Sequence, residues 1–425
     1  MADETHLGDV ANVIMGQSPP GTTYNELSEG LPFFQGVRDF TYRYPNVRVY
    51  CSEPSRIARP GDILLSIRAP IGRINIVNRE SCIGRGLAII RPKSIEDFRY
   101  LEFVLRLEEP NWQSIEGGGS VFGNATRNDI ESLSILWPTN SNERKAIAHV
   151  LGTLDDKIEL NRRMNQTLEE IAQVLFKSWF VDFDPVRAKV EGLDTCLPQH
   201  IADLFPDSFE DSELGQTPKG WAFASLIELI NPTKGVSYSS ADLIEADTAL
   251  VTLKSFARGG GYRPEGLKSY AGSYKANQVV VPGEVVLACT DVTQAAEVVG
   301  RPAIVRPSTK YKTLIASLDT MILRPKDGKL TKAFLYFLCG SAKFTEHTYA
   351  HTTGTTVLHL ASTAMPSFRL PLPSSELVQA FDIIAKPLLG KIQNIEQESE
   401  TLSSLRDSLL PKLISGELKV TATKE

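Results

Sequence analysis

Arg38 follows "FFQG", Arg68 follows an apolar run in "SIRAPIG", and Arg73 and Arg85 occupy comparable turns. A guanidinium on a short turn is a planar fork that donates two parallel hydrogen bonds to guanine O6 and N7. The side-chain amides of Gln17 and Gln35 match adenine in the same way. In the second half of the chain Lys254, Arg258, Arg263, Lys268 and Arg301 stand in similar surroundings, and "TDVTQ" (290–294) adds Asp291, Thr293 and Gln294. The glycine-rich "EGGGSVFG" (116–123), which contains Ser120, suits either a loop laid against a nucleic-acid backbone or a plain turn. The chemistry offered by these residues is recognition, with phosphate contacts that position and base-edge contacts that specify.

Covalent chemistry finds no comparable support. The sequence has no G-x-x-x-x-G-K-[ST] phosphate loop and no G-x-G-x-x-G dinucleotide loop. "NPTK" (231–234) lacks the second proline and the aromatic residue used in methyl transfer to a flipped base. The five cysteines are scattered without a C-x-x-C pair, which argues for free thiols in a reducing cytoplasm and against structural zinc. "HTYAHTTG" (347–354) sets two histidines four apart with no helical pattern around them, and the acid pairs Asp155-Asp156 and Glu169-Glu170 read as solvated. No catalytic site, metal or cofactor is expected.

The net charge of -6 conceals an uneven distribution. Twelve basic residues against six acidic ones lie between Pro32 and Arg99, and nine against four between Leu250 and Lys312. Seven acids and no Lys or Arg fall within Glu191 to Pro218. Two basic stretches with an acidic connector fit two separate nucleic-acid-binding surfaces. A length of 425 residues calls for more than one domain, and no apolar run is long enough to span a membrane. The opening "MADETHLGDV" has neither the basic end nor the apolar core of a signal peptide, so a cytoplasmic protein is expected.

The elements that must hold these residues repeat at an offset near 234. "RPK" recurs at 91–93 and 324–326, "YLEFVL" (100–105) answers "FLYFLC" (334–339), and "RPGDILLSI" (59–67) answers "VPGEVVLAC" (281–289). "GGGSVFG" (117–123) stands where "TTGTTVL" (352–358) does, ahead of "LSILWP" and "FRLPLP". Each half then runs into a long helical pattern. Apolar positions spaced 4,3,4,3 run from Ile147 to Leu175 and again from Phe381 to Leu409, a coiled-coil seam interrupted by Asn161, Asn165, Ser399 and Arg406. Pro387 should kink the second helix or mark its start, and Pro411 and Gly416 should end it. The expected class is α+β, with two globular units and two helices pairing antiparallel under an internal pseudo-twofold. The expected boundaries are 1–141, 142–184 (helix), 185–218 (acidic linker), 219–374 and 375–425 (helix).

Three stretches carry a family likeness: "LGDVANVIMGQSPPGTTYNE", "LDDKIELNRRMNQTLEEIAQVLFKSWFVDFDPVRAK" and "LLPKLISGEL". They resemble the specificity subunits of type I restriction-modification systems, and the likeness runs through essentially the whole chain. It implies two target recognition domains, each reading half of a split double-stranded DNA sequence, with the helices as an antiparallel spacer. It also implies a non-catalytic subunit that binds two methyltransferase (modification) subunits and recruits restriction-translocase subunits. "INPTKGVSYSS" departs from the GQSPP-type entry in the second half.

The aromatic end of the central helix, with Phe176, Trp179, Phe180 and Phe183, has two open readings. It docks a modification subunit, or it packs on this chain's own domains. The competing readings of the whole chain are a coiled-coil scaffold that binds other proteins and a single-chain nuclease or methyltransferase. The basic stretches weigh against the first and the missing motifs against the second.

Overall fold

The computed structural model describes residues 2–116, 124–213, 215–292, 295–326 and 328–420. It is a mixed helix and sheet protein that divides into two compact units, Met1–Arg163 with Glu396–Glu425, and Met164–Ile395.

In the first unit the strands Ala11–Met15, Leu87–Pro92, Ile63–Ser66 and Ile74–Ile76 lie side by side in that order, all antiparallel. In the second, Ile230–Lys234, Thr320–Pro325, Val285–Ala288 and Pro302–Ile304 repeat the order and the directions. A short helix precedes each sheet, Leu7–Val10 or Leu226–Leu229. Each unit also has one parallel pair, Leu31–Phe34 with Ser81–Ile83 and Thr248–Val251 with Thr313–Ala316.

The repeated words of the sequence build one repeated clamp. In "RPGD" and "VPGE" the proline supplies the first turn position, while Gly61 (φ +92°) and Gly283 (φ +84°) supply the left-handed one. The Asp62 N–H closes its turn on the Arg59 carbonyl at 2.9 Å and the Glu284 N–H on Val281 at 3.1 Å. The buried carboxylate at the turn's end then meets the arginine of "RPK". Arg91 donates to both oxygens of Asp62 at 2.8 and 2.7 Å, and Arg324 to both of Glu284 at 2.6 and 3.1 Å. The lysine of each "RPK" donates to carbonyls of the short helix, Lys93 to Gly8 and Lys326 to Ile227, both at 3.0 Å. A bidentate pair is geometrically demanding, so these residues serve the frame and leave the basic count of the surface.

Two helices of forty residues, Ser141–Phe180 and Ser375–Ile414, contribute to both units. Within the first unit Ile147, Ala148 and Leu151 share a core with Leu410, Leu413 and Ile414. Further along, Asp155 takes Arg406 at 2.7 Å, and Asn161 donates to Glu398 at 2.9 Å and Ser399 at 3.1 Å. Partner numbers fall as these rise, so this pairing is antiparallel. Within the second unit Phe176 and Phe180 meet Phe381 with ring centres 5.5 and 5.4 Å apart.

Several expectations are corrected here. Pro387 lies inside its helix rather than at its start, and Pro411 does not end it. Both prolines are exposed, and so is Ile383, whose carbonyl loses its partner to Pro387; water can take that bond instead. The acidic stretch 185–218 is folded rather than a bare linker. It holds the helices Asp184–Val190 and Gln199–Ala202 and the hairpin Phe209–Ser212 with Gly215–Pro218. Val186, Ile201 and Phe205 are buried in the second unit's core.

Candidate nucleic-acid interface

In the first unit five backbone hydrogen bonds gather separate segments at one end of the sheets. The N–H of Gly16 donates to Leu87 and that of Gln17 to Ile83, both at 2.9 Å. Gly84 donates to Phe34 at 2.8 Å, and Ile67 to Gly86 and Ala125 to Ile67 at 3.0 Å. The closeness dictates glycine: a Cβ on Gly16 would lie 2.2 Å from the Gly84 oxygen, and one on Gly86 2.1 Å from the Gln35 oxygen.

On this platform Gln17, Gln35, Arg38, Arg68 and Arg85 are all exposed. The Ser18 hydroxyl ties two of them together, accepting from the Arg85 N–H at 3.1 Å and the Gln35 amide at 3.4 Å. Arg38 rides on the one-turn helix Val37–Asp39, whose Asp39 carboxylate accepts from the Gln35 N–H at 2.8 Å. Arg68 bridges to Asn124 as an isolated antiparallel pair. The salt bridges among the described residues of this region engage Arg43, Arg48, Arg73, Arg91, Arg99, Arg106 and Arg144, and leave Arg38, Arg68 and Arg85 without a carboxylate. An exposed guanidinium without an internal partner keeps its donors for a ligand. Arg73, by contrast, is tethered to Glu109 at 2.8 Å. Ser120 lies outside the described residues.

The second unit repeats the stitching bond for bond. Gly235 donates to Thr320 at 3.1 Å, Val236 to Ala316 at 2.8 Å, Ser317 to Val251 at 3.0 Å, Cys289 to Asp319 at 2.7 Å and Leu360 to Cys289 at 2.8 Å. These bonds define equivalent positions. Val236 stands for Gln17, Thr252 for Gln35, Thr290 for Arg68, Leu318 for Arg85, Asp319 for Gly86 and His359 for Asn124. Thr290 is buried; its hydroxyl donates to Asp319 at 3.0 Å and lies 3.4 Å from His359 Nδ1. Lys254, exposed on the one-turn helix Leu253–Ser255, takes the place of Arg38.

The other candidates of this half disperse. Arg258 pairs with Glu297 at 3.2 Å, Arg263 is exposed, and Lys268 is half-buried in the short strand Lys268–Ser269. Arg301 is half-buried beside Val299 and Thr345, and burial holds its guanidinium below the ordinary arginine value. Asp291 is buried and accepts the Val298 N–H at 2.7 Å, which makes it a loop-shaping residue rather than a reader. Thr293 and Gln294 lie outside the described residues.

Three further expectations need correction. Phe176, Trp179, Phe180 and Phe183 are all buried in the second unit's own core, against Phe334, Phe337, Phe381 and Trp221, so no aromatic surface is left for a partner there. Asp155 is fully buried, not solvated, and its charge is met by Arg106 at 2.8 Å and Arg406 at 2.7 Å. His347 does sit on a helix, Ala342–Ala350, with its ring 4.2 Å from that of His351. Among the described residues no group of three or more His, Cys, Asp or Glu could hold a metal ion, and no helix is long and apolar enough to cross a membrane.

The residues missed from sequence alone are Asn124, Val236, Thr290, Leu318, Asp319 and His359. The repeat was the available signal, but its offset drifts. It is 219 between Gly16 and Gly235, 222 between Ile67 and Cys289, and 233 between Arg85 and Leu318.

Residues 3–170 match the type I restriction modification DNA specificity domain. This stretch holds all the first-unit candidates. The chain is 41% identical over 160 residues to the MjaX specificity subunit assigned to a type I restriction enzyme of Methanocaldococcus jannaschii, a match covering 37% of each chain. It is 24% identical over 430 residues to the type I restriction enzyme HindI specificity subunit of Haemophilus influenzae, covering 88% of this chain and 90% of that one. The crystal structure of a type I restriction-modification S subunit from M. genitalium superposes with a TM-score of 0.54 at 12% identity, covering 100% of this chain and 97% of that one, which shows a shared fold. The likeness to specificity subunits of type I restriction enzymes is thus carried by residues 3–170 at the level of a domain, and by most of the chain only at 24% identity.

Proposed function

We propose that this chain reads a split double-stranded DNA sequence, one half with each unit, and brings modification subunits to it. Target recognition domains near 1–141 and 219–374 do the reading. The helical segments 142–184 and 375–425 set the gap under a pseudo-twofold arrangement that suits two modification subunits. Restriction-translocase subunits join the same complex. The chain itself contributes recognition and no covalent step.

The observation that carries this reading is the stitched platform holding Gln17, Gln35, Arg38, Arg68 and Arg85, its three arginines outside the salt bridges among the described residues. Its bond-for-bond counterpart in the second unit supports a second reader. A platform with extended, charge-bearing donors fits a groove better than it fits a small-molecule pocket.

The test is modified-base sequencing of DNA from cells that co-express the chain with a modification subunit. The expected result is one methylated motif of two short halves around a fixed unspecified gap. Co-purification of the two proteins without any methylated motif would refute the reading function and leave docking intact. Failure to associate at all would favour the scaffold.

A further inference from the structure

The two platforms share one position and differ at others, and this sorts the residues by role. Arg38 and Lys254 occupy the same place, each exposed on a one-turn helix whose capping side chain sits one residue later. A charge common to both units cannot distinguish one half of a target from the other, and it suits the phosphate backbone common to all DNA. Arg85 and Leu318 also share a place, the tip of the turn that enters the strand Leu87–Pro92 or Thr320–Pro325. There the chemistry changes outright, from a guanidinium to an aliphatic side chain that is 51% exposed.

The turn that carries Leu318 is held by its N–H donating to the Val236 carbonyl at 2.8 Å. The neighbours change in the same direction. Val236 replaces the amide of Gln17, and Thr290, with its hydroxyl turned to Asp319, replaces the free guanidinium of Arg68. Next to it stands the Asp319 carboxylate, where the first unit has Gly86. A carboxylate repels the O6 and N7 acceptors of guanine but accepts from the amino groups of adenine and cytosine alike. The A·T direction therefore rests on the aliphatic Leu318, which gains contact from the C5-methyl of thymine.

We propose that Arg85 and Leu318 are equivalent specificity-determining residues that read different base pairs: Arg85 a G·C pair in one half of the target, Leu318 an A·T pair through its thymine methyl in the other. The assignment rests on the reading function proposed above and gives it a chemical content at two positions. The second unit's half-site is A·T-directed where the first unit's is G·C-directed, and the shared cations at Arg38 and Lys254 discriminate neither.

The experiment is modified-base sequencing with the full chain and its modification subunit, comparing wild type with Arg85→Leu, Leu318→Arg and the milder Leu318→Ala. Thermal melting of each purified variant reports that it is folded, and co-purification with the modification subunit reports docking. Wild type should show a G·C pair in one half that Arg85→Leu alone relaxes, with discrimination there falling roughly tenfold or more. Leu318→Ala should relax one A·T pair in the other half, and Leu318→Arg should relax it or turn it to G·C. A second half-site made only of G·C pairs overturns the proposal. So does methylation that falls equally at every position, or co-purification lost in both Leu318 variants, which would make Leu318 a protein-docking residue. A wild type that methylates no motif refutes the underlying reading function instead, so the two failures are distinct.

Discussion

At the turn before Leu87–Pro92 the first unit presents Arg85, and at the matching turn before Thr320–Pro325 the second presents Leu318. A few residues behind those turns, Arg91 grips Asp62 and Arg324 grips Glu284 with the same two-pronged geometry. The frame therefore repeats where backbone bonds and buried ion pairs fix it, and varies where side chains face outward. The paired helices differ in a second way. In the first unit an apolar contact of Ile147 and Leu151 with Leu410 and Leu413 gives way to ions and amides, with Asp155, Asn161 and Arg406 at the seam. In the second they meet through rings, with Phe176, Trp179, Phe180 and Phe381. One architecture is thus held by two kinds of chemistry, and each kind has its own way of failing.

The ring-filled half should fail by cavity. Trp179 is 1% exposed and packs edge-on against Phe205 and Phe381. Trp179→Ala is expected to cost roughly 3–5 kcal/mol. Hydrogen exchange should show lost protection in Val285–Ala288 while Ile63–Ser66 holds. Equal loss in both strands would break the comparison by making the two units one cooperative block.

The ion-held half should fail by acid. Burial works to raise the Asp155 carboxyl, but Arg106, Arg406 and the Tyr42 hydroxyl outweigh it and hold the group below its ordinary value. A depressed carboxyl contributes stability that is full above the ordinary aspartate value of about 3.9 and is lost as pH falls through the folded value. Amide protection over 147–161 should therefore decline on acidification below about pH 4, before that over 172–180. Asp155→Asn should cost about 3 kcal/mol at neutral pH, by removing a fully buried carboxylate from the half-buried Arg106 and Arg406, and should flatten the acid response. An unchanged acid response in that variant would assign the sensitivity to other carboxylates.

These differences explain what could be read in advance. The mixed class, the repeat and the long helices were legible because strand and helix periods and the turn chemistry of "RPGD" and "VPGE" are local. The platform arginines Arg38, Arg68 and Arg85 were legible as turn residues. Their separation from Arg91 was not, because only tertiary structure puts Asp62 opposite it. The fate of the aromatic helix end was equally hidden, since an apolar face records that something covers it and not what. Asp155 misled for the converse reason. It stands in an acid pair with Asp156 beside the apolar seam, and its partners Arg106 and Arg406 lie 49 and 251 positions away.

The smallest expected effect tests the part of the comparison in which the units agree. Arg38 and Lys254 occupy one position on two platforms and are both exposed, in no salt bridge among the described residues. If each meets a phosphate, Arg38→Ala and Lys254→Ala should weaken DNA binding uniformly across sequences. Each should lower the slope of log affinity against log salt by about 1, and the double variant by about 2. The methylated motif should stay unchanged in both halves, because a released counterion carries no sequence information. Titrations of the assembled complex on target and unrelated DNA at several salt concentrations measure this directly. A loss confined to target DNA, with the slope unchanged, would move the position from backbone contact to base reading. Agreement between Arg38 and Lys254 would then reflect a guanine common to both halves rather than the phosphates common to all DNA.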